Sequence, residues 1–212
     1  LDENQFLAST LSAVKAPRLL DALEQTFRAQ NASLKGFLRV GEARYEVVAT
    51  GKGGGMTPAM SFGFEIRDGQ RVIAWFGSAG LYCYDMNGNE LWKRDLGRQT
   101  HEWGYASSPV IHNNFVFPNF GPGKRSFLAA FDKQTGKTIW ENDIPEVQPE
   151  SREDNFRGRP DGVIGSWSTP IVIEFEGREE LIVSLPDWVK AFDPATGKEL
   201  WRCAGPNPLL YT

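Results

Sequence analysis

One short pattern occurs three times in this chain, and it limits the fold more than any single residue does. The copies are Tyr84-Asp85-Met86-Asn87-Gly88-Asn89-Glu90-Leu91-Trp92, Phe131 to Trp140 and Phe192 to Trp201. Each places a Trp four positions after a turn Gly: Gly88 and Trp92, Gly136 and Trp140, Gly197 and Trp201. A Thr/Ser-Pro pair precedes each copy, at Thr57-Pro58, Ser108-Pro109 and Thr169-Pro170. The Trp residues are 48 and 61 positions apart, so length varies between the units and not inside them. Repeats on this scale belong to propellers, solenoids or arrays.

Each unit reads as four short strands. In the second, the apolar run 107–112 stops at His112-Asn113-Asn114, and a second run over 115–119 stops at Gly121-Pro122-Gly123. Residues 126–131 follow, then a tight turn from Asp132 to Gly136, then a closing run over 137–143. Asp opens such turns by bonding its own backbone, and Gly supplies the positive φ. The third unit breaks at Glu176-Gly177 and Pro186-Asp187, the first at Asp68-Gly69 and Gly77-Ser78-Ala79-Gly80. Four antiparallel strands per repeat predict an all-β propeller of four-stranded blades. The blades are expected at about 57–97, 107–144 and 168–205.

The pattern resembles the tryptophan-docking motif, A-x-D-x-x-T-G-x-x-x-W, of pyrroloquinoline-quinone-like (PQQ-like) β-propellers. Ala130 to Trp140 and Ala191 to Trp201 match it completely, while 83–92 departs from it with Cys83 for Ala and Asn87-Gly88 for Thr-Gly. The resemblance covers about 56–205 and is closest to secreted, uncharacterised members. It implies that Trp92, Trp140 and Trp201 dock between neighbouring blades. It also implies one of two functions. One is a non-catalytic, periplasmic or secreted scaffold that binds a small molecule or a protein. The alternative is a PQQ-dependent oxidoreductase of the sugar or alcohol dehydrogenase kind, with PQQ and calcium as the cofactors to test.

The residues themselves favour the scaffold. The chain lacks an adjacent cysteine pair, a C-x-x-C-H haem site and a G-x-S-x-G elbow. Two separate histidines make no His-rich metal site, and Gly53-Gly54-Gly55 lacks the Lys-Ser/Thr of a phosphate loop. A net charge of −4 and a pI near 5.3 argue against a nucleic-acid surface. No apolar run approaches the roughly 18 residues of a membrane span. Starting at Leu1 without a signal peptide, the chain reads as a mature form or an excised piece.

Strand alternation also predicts which loops share a face. The links between blades and those between second and third strands fall on one side, so 77–80, 97–106, 119–126, 145–166 and 185–188 should form one rim. On that rim the candidate ligand-binding residues are His101, Glu102, Trp103, Arg157, Arg159, Trp167, Asp187 and Trp188. The tryptophans offer stacking faces, and the Arg forks suit carboxylates such as those of an acidic sugar or a quinone acid. Carboxylates at Asp154, Asp161 and Asp187 are the calcium candidates, although no spacing specifies the ion.

Two regions fall outside the repeat logic. Residues 1–44 carry helical spacing at Phe6, Leu7, Leu11 and Val14, and again at Leu19, Leu20, Leu23 and Phe27, which predicts a helical segment. Residues 45–50 read as the last strand of a preceding blade, and 206–210 as the run into another inner strand. Three blades do not close a ring, because propellers have about four to eight. The expected arrangement is therefore part of a longer propeller, or copies that self-associate.

Overall fold

The computed structural model describes residues 32–36, 45–51, 60–65, 70–77, 80–85, 87–97, 107–123, 125–144, 165–205 and 209–210; up to residue 65 and at 209–210 only backbone pairing is considered. The described residues are strands, turns and connecting segments, as the repeat predicts. The first sheet is an antiparallel meander of β1 (Ala32–Gly36), β2 (Tyr45–Gly51), β3 (Met60–Glu65), β4 (Arg71–Trp75), β5 (Leu81–Asp85) and β6 (Glu90–Arg94). The second holds β7 (Val110–His112), β8 (Phe115–Phe117), β9 (Asn119–Phe120), β10 (Phe127–Asp132) and β11 (Thr138–Asp143), with β9 paired to β10 beside the path β11-β10-β8-β7. Next come β12 (Gly165–Ser166) and then the third blade: β13 (Ile171–Phe175), β14 (Arg178–Leu185), β15 (Trp188–Phe192) and β16 (Glu199–Ala204). Finally β17 (Leu209–Leu210) pairs in parallel with β12.

Two expectations change here. Strand β2 does not close a preceding blade. It pairs with β3, Tyr45 opposite Phe64 and Ala49 opposite Met60, so the first sheet has six strands and not four. A strand joined by a short connection most readily pairs with its chain neighbour. Within the segment 1–44, Ala32–Gly36 is a strand bonded to β2. The two helically spaced stretches lie outside the described residues.

The core sits between sheets. Along β10, Phe127, Ala129 and Phe131 pack with Ile73, Trp75, Leu81 and Cys83 of the first sheet. Leu128 and Ala130 point the other way, toward Leu181, Val183, Leu185 and Phe192 of the third blade. A strand buried on both faces needs a continuous apolar run, which explains the sequence FLAAF.

The repeated turn is built by its Asp. The Asp132 carboxylate accepts from Gln134 N (3.1 Å), Thr135 N (2.7 Å) and Thr135 Oγ1 (2.7 Å). Asp193 repeats this with Ala195 N and Thr196 N, both at 2.9 Å. The Thr135 hydroxyl first, with help from the backbone amides, holds the Asp132 carboxyl below its ordinary value. Each outer hairpin also shifts register at one place: after Cys83, Ala130 and Ala191, the residues opposite Trp92, Trp140 and Trp201. The recurring bulge and the small residue opposite set the angle at which each indole leaves its sheet.

Candidate functional site: the second–third blade junction and its rim

Two tryptophans lock consecutive blades together. Trp92 Nε1 donates to Lys133 O at 3.0 Å, and Trp140 Nε1 donates to Pro194 O at 2.9 Å. Each ring lies on the turn Gly of the next blade. A Cβ at Gly136 would fall 2.7 Å from Trp92 Cε3, and one at Gly197 would fall 2.6 Å from Trp140 Cδ2. Both glycines have positive φ, 69° and 71°, so the turn and the seat require the same residue. Asn142 adds a bond from Nδ2 to Gly197 O at 2.6 Å. Trp92 and Trp140 are each 9% exposed. Trp201, expected to dock in the same way, is 37% exposed, and its indole donates to Glu180 Oε2 of its own sheet at 2.6 Å. The described residues place no neighbouring turn over it.

On one side of the sheets the linking segments meet. Arg125 donates to Leu96 O and to Glu141 Oε1 (3.2 Å), with its guanidinium 4.4 Å from the Phe127 ring centroid. Asn119 Nδ2 reaches Ser166 Oγ (3.3 Å) and Ser168 O (2.9 Å), while Ser166 Oγ donates to Ser184 O. Gly165 lies so close to Pro122 that a Cβ would fall 2.1 Å from Pro122 Cβ. Residues 96–97, 119–123, 125–126, 165–168 and 184 are therefore neighbours, an arrangement that follows from strands reversing direction at each turn.

Of the rim candidates, His101, Glu102, Trp103, Arg157 and Arg159 lie outside the described residues. Trp167 is 4% exposed and offers no free stacking face. Its neighbours Ser166 and Ser168 are tied to Asn119, which carries that segment inward. Asp187 sits in a left-handed turn (φ 66°) and accepts Gly205 N at 3.2 Å through its carbonyl. Trp188 is 36% exposed, with the Arg202 guanidinium 5.4 Å from its ring centroid.

Trp188 and Asp187 border a groove of about 610 Å³ between the second and third blades. Periodicity did not mark this groove, because its walls come from strands some fifty residues apart in sequence. Glu141 and Asp143 line one side, Lys190, Glu199 and Arg202 the other. Lys190 Nζ meets Glu199 Oε2 at 2.9 Å, and Arg202 Nε lies 3.3 Å from Glu199 Oε1. One carboxylate thus engages both cations and Arg125 engages Glu141, which leaves Asp143 and Asp187 as the further carboxylates around the groove. Its volume lies within the roughly 300–1,000 Å³ usual for ligand sites.

A second clamp joins the same blades on the opposite side. His112 Nε2 lies 2.7 Å from Glu179 Oε1, and Asn113 Nδ2 donates to the same carboxylate at 3.2 and 3.3 Å. The His112 bond, ahead of the Asn113 bond, holds the Glu179 carboxyl below its ordinary 4.5. A depressed carboxyl contributes its full stability above the unfolded pKa and loses it as pH falls through the folded value. Below about pH 4.5, stability should therefore fall more steeply in the parent chain than in Glu179→Gln. Thermal melts from pH 6 to 3 check this; parallel curves would remove the clamp from the acid response.

A calcium cage does not fit the described residues. Asp154 and Asp161 lie outside them, and no three His, Cys, Asp or Glu side chains converge among them. Ser107 Oγ is buried without a hydrogen-bond partner at the entry to the second blade. A lone hydroxyl suits a polar ligand atom and does not make a carboxylate site for the ion.

The family model for the outer membrane protein assembly factor BamB matches residues 41–157, more than half of the chain. Among solved structures, BamB from Moraxella catarrhalis is similar at 17% identity and a TM-score of 0.45, covering 67% of this chain and 36% of that one. Quinohemoprotein alcohol dehydrogenase from Comamonas testosteroni is similar at 14% identity and a TM-score of 0.49, covering 84% and 34%. The chain thus spans about a third of the length of each. No curated protein matches it in sequence. With its repeated Asp-turn, Gly seat and docked Trp in successive antiparallel sheets, the chain belongs to the PQQ-like β-propeller family described by the outer membrane protein assembly factor BamB.

Proposed function

We propose that this chain is a non-catalytic, extracytoplasmic interaction scaffold, periplasmic or secreted, whose second–third blade groove binds a segment of a partner protein. The observation that carries the reading is the groove itself: open, about 610 Å³, bordered by an exposed Trp188 and an excess of carboxylates. A half-exposed Trp beside charged side chains is the composition of an interaction hot spot, not of a packed core. The matched family is named for an assembly factor, which agrees with a protein partner. The carboxylate excess favours a basic segment, with an apolar side chain for the Trp188 ring.

Calorimetry with Lys/Arg-rich, acidic and neutral aromatic peptides, uronic acids, and PQQ with calcium tests this. Basic aromatic peptides should bind best and weaken with salt. Asp143→Lys and Trp188→Ala should each lower that affinity about tenfold, near 1.4 kcal/mol. A stoichiometric quinone chromophore with dye reduction would replace this reading with the oxidoreductase one. Binding of acidic ligands alone would overturn the charge argument.

A further inference from the structure

Strand β11 ends the order β11-β10-β8-β7, so it pairs with β10 alone and its other edge has no strand beside it. In an antiparallel ladder the backbone N–H and C=O groups of successive residues face opposite edges. Ile144 N donates to Ser126 O at 2.8 Å, which turns the backbone groups of Ile144 and, two positions back, Asn142 toward β10. Ala129, opposite Glu141, instead donates its N–H to Pro118 O at 3.4 Å, on the far side of β10. The N–H and C=O groups of Glu141 and Asp143 therefore point outward, and no backbone group of another described residue bonds them.

The groove between the second and third blades opens onto this edge. Its wall on the second blade is made of consecutive residues, Glu141, Asn142, Asp143 and Ile144. A groove on one face of a strand is bordered by alternate residues, so consecutive ones mean that it reaches the edge. The side chains divide between the two faces. Asn142 bonds Gly197 O and faces the third blade, while Glu141 meets Arg125 on the opposite face, which Asp143 shares.

Sheet edges are commonly blocked by charged side chains, Lys above all, or by Pro. The outer strand of the first blade carries Lys93 and Arg94, and that of the third carries Arg202. Strand β11, with the sequence TIWEND, has carboxylates but no Lys, Arg or Pro.

We propose, on the reading that the groove is the partner's site, that the partner segment adds a strand to the free edge of β11 and alternates basic with apolar residues. Its backbone bonds the outward N–H and C=O groups of Glu141 and Asp143. A basic residue opposite Asp143 meets a carboxylate with no ion pair among the described residues, and one opposite Glu141 shares that carboxylate with Arg125. The residue between them lies opposite Asn142 and projects into the groove that Trp188 borders. Like charge disfavours the same segment on the outer strands of the first and third blades.

The probe is a capped synthetic peptide that alternates Lys with Phe and Val, titrated calorimetrically into the full chain. Two derivatives carry N-methyl groups on one or the other alternate set of amides. Only one set faces β11, so one derivative should bind about tenfold more weakly than the unmethylated peptide and the other about as well. With the unmethylated peptide bound, amide hydrogen exchange at Glu141 and Asp143 should slow about tenfold, as new backbone bonds require. Equal affinity of the two derivatives, or unchanged exchange at both residues, overturns strand addition and leaves the groove as a side-chain site. A peptide of the same composition with its Lys residues in one block, bound as tightly, overturns the alternation. Failure of every peptide to bind overturns both the strand addition and the groove reading.

Discussion

Trp140→Ala is expected to lower the unfolding free energy by about 3–5 kcal/mol, and Trp201→Ala by no more than about 1–2 kcal/mol. The two residues are equivalent in sequence and in strand register. What differs is the far side of the ring. Trp140 fills the space between Leu128, Leu181 and Phe192 and bonds Pro194 O across the junction. Its removal leaves a cavity between blades and an orphaned carbonyl. Trp201 has solvent on that side and a bond only to Glu180, which retains Arg178 as a partner at 3.0 Å. Urea titration of both variants measures the difference. Equal losses would show that the Trp140 seat contributes no more than an exposed indole does.

Gly197→Ala should cost about 3–4 kcal/mol, and Gly177→Ala about 1–2 kcal/mol. Both glycines have left-handed backbone, with φ of 71° and 76°. A Cβ at Gly177 meets nothing within 4 Å, so that variant measures the backbone penalty alone. A Cβ at Gly197 would fall 2.6 Å from Trp140 Cδ2, so the ring must leave its seat or the turn must open. The excess over Gly177→Ala is therefore the strength of the junction. The excess should vanish in a Trp140→Ala background, since the methyl then has room; a full excess there would refute the contact.

These junctions matter for the proposed function because the groove has one wall on each blade. Glu141 and Asp143 belong to β11, and Asp187, Trp188 and Lys190 to the third blade. The Trp140 seat, Asn142 and the His112–Glu179 clamp hold those walls at a fixed separation. A pre-formed groove avoids part of the ordering cost that a flexible loop site incurs on binding. A loosened junction should therefore weaken the partner segment even where no groove residue is changed.

The amino-acid sequence by itself determined the repeat, the four-strand blade and the Asp–Gly turns. Those features are local: an Asp carboxylate bonds amides two and three residues away, and a Gly adopts a φ that its own backbone allows. The two-sided burial of β10 agrees with its unbroken apolar sequence, but the sheets on its two faces are seen only in the structure. Only the tertiary structure decided which of the matching tryptophans has a seat. Trp92, Trp140 and Trp201 share one spacing, and nothing near Trp201 in sequence distinguishes it from the other two. The same holds for Trp167, taken as a stacking face and found buried, and for residues 45–50, read as the last strand of a preceding blade and found paired with β3. Exposure and strand partner depend on what packs from far along the chain, and that is set by the summed fit of whole faces, which no local pattern encodes.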